Sequence, residues 1–150
     1  MNPFDMKAAL LARHAQHVVV IHFPIALFIT SLLFDLLARW RRDQGFATAA
    51  FFNLVAAAVA AVPAVATGFI AWRWLLEGET LKGNLQLHLI LGLTSSGLIW
   101  LLTIWRIRLR KRREELLPTR YLALALIAAA VIALTGHVGG VLSGVETSTG

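Results

Sequence analysis

Four apolar stretches, near residues 18–38, 47–75, 84–105 and 121–142, take up most of this 150-residue chain. Each supplies the ~20 residues a helix needs to cross ~30 Å of hydrocarbon. Hydrophobic residues make up 58% of the whole, where soluble domains hold roughly 45 to 50%. Backbone groups in lipid must be satisfied within helices or a closed barrel, and barrel strands would alternate in polarity. The expectation is a single all-α domain over 1–150, an integral membrane four-helix bundle running up-down-up-down. Asn2, Pro3 and Asp5 suit the N-cap, N1 and N3 positions of a helix, and Phe4, Ala8, Leu11 and Ala15 follow at helical spacing. A short N-terminal amphipathic helix resting on the membrane surface is therefore expected as well.

Charge sorts the ends of these spans. Arg39, Arg41 and Arg42 follow the first span, and Arg106, Arg108, Arg110, Lys111, Arg112, Arg113 and Arg120 lie between the third and fourth. The opposite side carries only Lys7, Arg13, Arg73 and Lys82. By the positive-inside rule the first set is cytoplasmic, which places both termini in the periplasm of a bacterial inner membrane. Residues 1–16 carry acidic Asp5 and two basic residues ahead of the first apolar run, and no small-residue cleavage pattern precedes the second, so the first span is expected to be retained. The basic loops should meet anionic lipid headgroups, and the +6 net charge is no sign of nucleic-acid binding.

The five histidines, His14, His17, His22, His88 and His137, all fall toward the opposite, poorly charged side. His22 and His88 lie about five residues into their spans and His137 about five before the end of its own, so their depths match within a few Å. An imidazole inside a membrane points to a site for a ligand, proton or metal, with bundle hydrogen bonding as the structural alternative. His22 precedes Pro24, which should open or kink the helix, and Pro63 should kink the second span. Gly92, one turn from His88, and Thr67-Gly68 offer small surface at the same level, as either cofactor lining or helix packing.

Spans one and three should lie across the diagonal of the bundle. That separation suits His22 and His88 as axial ligands of a b-type haem. His137 would then stand beside the haem or ligate in place of one partner, with His17 a further alternative. A zinc or copper site completed by His137, or a quinone site, is the competing arrangement. The chain has no cysteine, which excludes disulfides, thiolate metal sites and Cys-x-x-Cys-His haem attachment. No phosphate loop, Ser/His/Asp order or His-x-x-x-His motif is present, so no catalytic residue is assigned. Asp35 reads as a surface pair with Arg39, four residues on, and Asn53 as an interhelical hydrogen bond.

The run His17-Val-Val-Val-Ile-His22-Phe-Pro24-Ile-Ala-Leu-Phe, the Thr67-Gly68 pair, His88, and Gly136-His137-Val-Gly139-Gly140-Val-Leu carry a resemblance. In this order, over about residues 16–144, the chain resembles the bacterial four-span family catalogued as domain of unknown function twenty-two thirty-one. Members of that family are often fused to, or encoded beside, c-type cytochromes and other redox modules. The resemblance therefore implies electron transfer at the periplasmic face, with a redox protein as partner, and favours haem over zinc. The chain ends Leu142-Ser143-Gly144-Val145-Glu146 where many members carry Leu-Val-Tyr-x-x-Gly. The expected function is a membrane-embedded haem electron carrier, an accessory protein rather than an enzyme with its own substrate. The alternative is a non-catalytic structural or assembly subunit of a larger membrane complex.

Overall fold

The computed structural model describes residues 13–75, 80–111 and 117–143. Four helices account for nearly all of them: α1 (Arg13–Arg41), α2 (Gln44–Leu75), α3 (Gly83–Lys111) and α4 (Thr119–Leu142). Each contains a stretch long and apolar enough to span a membrane. α1 packs along α2 and α3 along α4, while α2 with α3 and α1 with α4 close the ring. The all-α four-helix bundle is as the apolar spacing predicts. At the arginine-rich end α1 and α3 continue past the apolar segments, to Arg41 and Lys111. Continuing the helix keeps backbone groups paired while long basic side chains reach toward headgroups. The expected amphipathic surface helix falls mostly on residues 1–12, which lie outside the described residues, as does the side chain of His14.

Neither proline ends a helix. Pro24 and Pro63 both lie inside continuous helices, so the first helix does not end at His22-Phe23-Pro24. In a bundle, neighbouring helices and hydroxyl side chains compensate for the one backbone donor a proline lacks. The break between α1 and α2 comes instead at Arg42, whose φ of 53° is left-handed. There the Asp43 N–H returns to the Ala38 carbonyl at 3.2 Å, the long-range bond of a Schellman cap. Asp43 then caps α2, its carboxylate accepting the Gly45 N–H at 2.6 Å.

Helices in lipid associate through close packing, since lipid tails are as apolar as side chains. α2 brings Ala50, Ala57, Ala58, Ala61 and Ala64 into the centre, all buried, with Leu54. Against this low surface pack Phe28 and Leu32 of α1, Ile99 and Leu102 of α3, and Tyr121, Ala125, Ala128 and Ile132 of α4. Ala57 has no exposed surface at all, so Ala57→Leu would overpack the centre by about 1–3 kcal/mol. Leu33, Phe52, Ile90 and Leu126 are exposed, as lipid-facing side chains must be. On α3 the buried residues Ser95, Ile99, Leu102, Arg106 and Leu109 follow the alternating four- and three-residue steps of a coiled-coil seam, with Thr103 buried beside them.

Candidate functional site

That seam carries polar groups at both of its ends. At the histidine end, His17 of α1 and His88 of α3 meet with ring centres 6.5 Å apart and planes at 85°. His17 Nδ1 lies 3.1 Å from Thr67 Oγ1 on α2. The single proton of that hydroxyl is directed to the carbonyls of Pro63 and Ala64, at 2.8 and 3.0 Å, so the oxygen accepts from His17 Nδ1–H. His88 Nδ1 lies 3.2 Å from the Thr135 carbonyl on α4 and must donate to it. Each ring is thereby oriented by an Nδ1–H donated to a helix other than its own. Ser95, two turns below His88, bonds Thr135 Oγ1 at 3.0 Å.

Two glycines let these rings sit so close to backbone. A Cβ on Gly68 would lie 3.1 Å from His17 Cε1, and one on Gly139 would lie 2.9 Å from His88 Cε1. Gly68 thus adjoins the cluster through His17. A Cβ on Gly92 would lie 3.9 Å from the Thr135 methyl, so this glycine faces α4. Within Gly136-His137-Val-Gly139-Gly140 the residue that reaches the cluster is Gly139.

The structure brings His88 together with His17, not with His22. His22 is exposed, its Nδ1 bonded to the Val18 carbonyl of its own helix at 2.6 Å. Five residues rotate a helix by roughly 140° from the starting face, so His17 and His22 cannot share one. His17 lies in line with buried Pro24, Phe28, Ser31 and Asp35, whereas His22 lies with exposed Ala26, Ile29, Leu33 and Leu36. His137 is also exposed, and among the described residues no three His, Asp or Glu side chains converge as metal ligands would. The three-histidine arrangement of His22, His88 and His137 is therefore not formed.

At the other end of the seam, Arg106 Nη1 lies 2.8 Å from Asp35 Oδ1, with side chains 5% and 3% exposed. Arg106 Nη2 donates to the Ala47 carbonyl at 3.1 Å, and the guanidinium stands 5.7 Å from the Tyr121 ring centre. One α3 side chain thus touches α1, α2 and α4. The local pair expected between Asp35 and Arg39 is replaced by this interhelical one, and Arg39 instead donates to the Leu117 carbonyl at 3.2 Å. Asn53 bonds the Ala49 carbonyl of its own helix at 2.9 Å, not a neighbouring helix. Spacing could have identified Arg106: it follows His88 by eighteen residues, as Asp35 follows His17, and eighteen residues are five full turns.

Four helices, each long and apolar enough to cross a membrane, packed around a largely apolar centre, define an integral, multi-pass membrane protein. A family described as "Predicted membrane protein (DUF2231)" matches residues 13–147. The chain belongs to that family. No curated protein and no solved structure matches it.

Proposed function

We propose that the protein is a membrane electron carrier whose b-type haem is ligated by His17 and His88. The observation that carries the reading is their juxtaposition across the diagonal. Two imidazoles on opposite sides of one iron at ~2 Å have ring centres roughly 6.3 Å apart, and these two stand at 6.5 Å. Hydrogen bonding of Nδ1 to a carbonyl or hydroxyl, as both rings have it, is the usual support of a ligating histidine. Donor set and separation therefore fit an axial pair. Bound there, haem would supply one-electron exchange, and a redox protein such as a c-type cytochrome would be its partner. The excess of basic residues at the arginine end supports a periplasmic histidine end in a bacterial inner membrane.

A second reading has its own support. Each histidine bonds a helix other than its own, His17 to α2 and His88 to α4. That is the pattern of a structural or assembly subunit held together by interhelical hydrogen bonds.

The reduced-minus-oxidised spectrum of protein purified from haem-sufficient cells separates the two. Low-spin haem bands should be present, and should vanish in His17→Ala and His88→Ala but persist in His22→Ala and His137→Ala. Wild-type protein without those bands overturns the haem reading in favour of the structural one. Bands that survive His17→Ala overturn the ligand assignment.

A further inference from the structure

We propose that the arginine end holds a binding site for a phosphate-bearing anion, set between α1, α2 and α3 and independent of any cofactor at the histidine end. A cavity of about 620 Å³ opens there, within the ~300–1,000 Å³ typical of small-molecule sites. Arg39, Arg42, Arg106 and Arg110 line it, with Asp35 and Asp43. Asp35 is neutralised by Arg106 at its floor, and Asp43 is held by the Gly45 N–H as the cap of α2. Among the described residues the lining thus carries a surplus of two positive charges.

The arginines differ in their engagements. Arg39 is turned to the Leu117 carbonyl and Arg106 to Asp35 and Ala47. The Arg110 guanidinium lies 4.1 Å from the Phe51 ring centre, and stacking of this kind preserves the in-plane N–H groups for an acceptor. Arg42 occupies the left-handed position after α1, where helices ordinarily place glycine because a Cβ is strained there. A guanidinium kept at that cost stands on the cavity wall. Guanidinium forks match the several oxygens of a phosphate better than they match a single carboxylate. The site lies at the end of the apolar spans, the level of lipid headgroups, so the phosphate could come from an anionic phospholipid or from a soluble phosphomonoester.

General attraction of basic loops to acidic membranes makes a different prediction, and Arg108 distinguishes the two. It belongs to the same basic run and is exposed but does not line the cavity. The detergent-purified full chain is titrated with dioleoylphosphatidylglycerol in mixed micelles and, separately, with glycerol 3-phosphate, binding being read by native mass spectrometry and calorimetry. At least one probe should bind one to one. Arg42→Gln and Arg110→Gln should each weaken it tenfold or more, and Arg108→Gln by less than twofold. Binding of the lipid alone identifies a headgroup site, and binding of glycerol 3-phosphate identifies a site for soluble phosphate esters. Arg42→Gly removes the charge while relieving the backbone, so its melting temperature should hold or rise as affinity falls. Absence of stoichiometric binding by either probe, an Arg108→Gln loss as large as the others, or undiminished affinity in Arg42→Gly overturns the site.

Discussion

Arg106 and Asp35, 2.8 Å apart with side chains 5% and 3% exposed, join α1 to α3 at one end of the bundle as His17 and His88 do at the other. On each helix the two contacts are eighteen residues apart, which places them on the same face and separates them by roughly 27 Å. That length is close to the hydrocarbon thickness. Between them lie Phe28, Ile99 and Leu102, with the buried hydroxyls of Ser31, Ser95 and Thr103. Diagonal helices are thus tied at both membrane boundaries and packed largely by apolar side chains in between. A one-residue slip of α1 past α3 would unpair both ends together.

Asp35 and Arg106 should be strongly coupled. A buried ion pair broken from one side leaves a charge without its partner, at a cost of about 3–5 kcal/mol, whereas replacing both partners by apolar groups is often close to neutral. Asp35→Leu and Arg106→Leu should each lower the unfolding free energy in mixed micelles by about that amount. The double substitution should cost less than either alone. Additive single effects would show that the two side chains do not stabilise the fold as a pair.

Gly139→Ala should damage the histidine end more than Gly68→Ala. The new methyl would lie 2.9 Å from the His88 ring at position 139 and 3.1 Å from the His17 ring at position 68. Overpacking of this kind costs about 1–3 kcal/mol. Gly97→Ala and Gly136→Ala meet nothing within 4 Å and should leave the melting temperature within the range of ordinary surface substitutions. A melt in which all four behave alike would mean that the ring contacts are not close in solution.

Much of this architecture can be read from the chain. The four apolar runs give the helices, because nothing else satisfies a backbone in lipid, and the loop arginines mark one end. Helical phase is harder to read when nearly every residue is apolar, since a lipid-facing leucine and a buried one look alike. His22 drew attention because of its depth and its proline neighbour, although the face shared with Ile29 and Leu33 turns it outward. Asp35 and Arg106 belong to different spans, so a search for local charge pairs stops at Arg39. The partner of His88 is a backbone carbonyl, and no side-chain pattern announces it.

Thr67→Val and Thr135→Val should therefore have unlike consequences. His17 bonds the Thr67 hydroxyl, so valine removes that bond and should cost about 0.6–1.7 kcal/mol, the usual range for an interhelical bond in a membrane. His88 bonds the main chain of residue 135, which valine retains, and what is lost is the hydroxyl's contact with Ser95 and its bond to the Val131 carbonyl. Nitrogen-15 spectra of the imidazoles would report this directly. The His17 resonances should change in Thr67→Val, and the His88 resonances should stay in place in Thr135→Val.

The proposed orientation can be tested with single cysteines, because the chain has none of its own. Ser143, the exposed residue after α4, marks the histidine end, and Gln44, the exposed first residue of α2, marks the arginine end. Neither substitution alters the basic residues that set topology. In intact bacterial cells a membrane-impermeant maleimide reaching the periplasm should modify Ser143→Cys. Gln44→Cys should react only after the inner membrane is opened. The reverse pattern would place His17 and His88 on the cytoplasmic side and remove periplasmic electron exchange from consideration. It would also contradict the charge bias, since the arginine-rich loops would then have crossed the membrane against the usual rule.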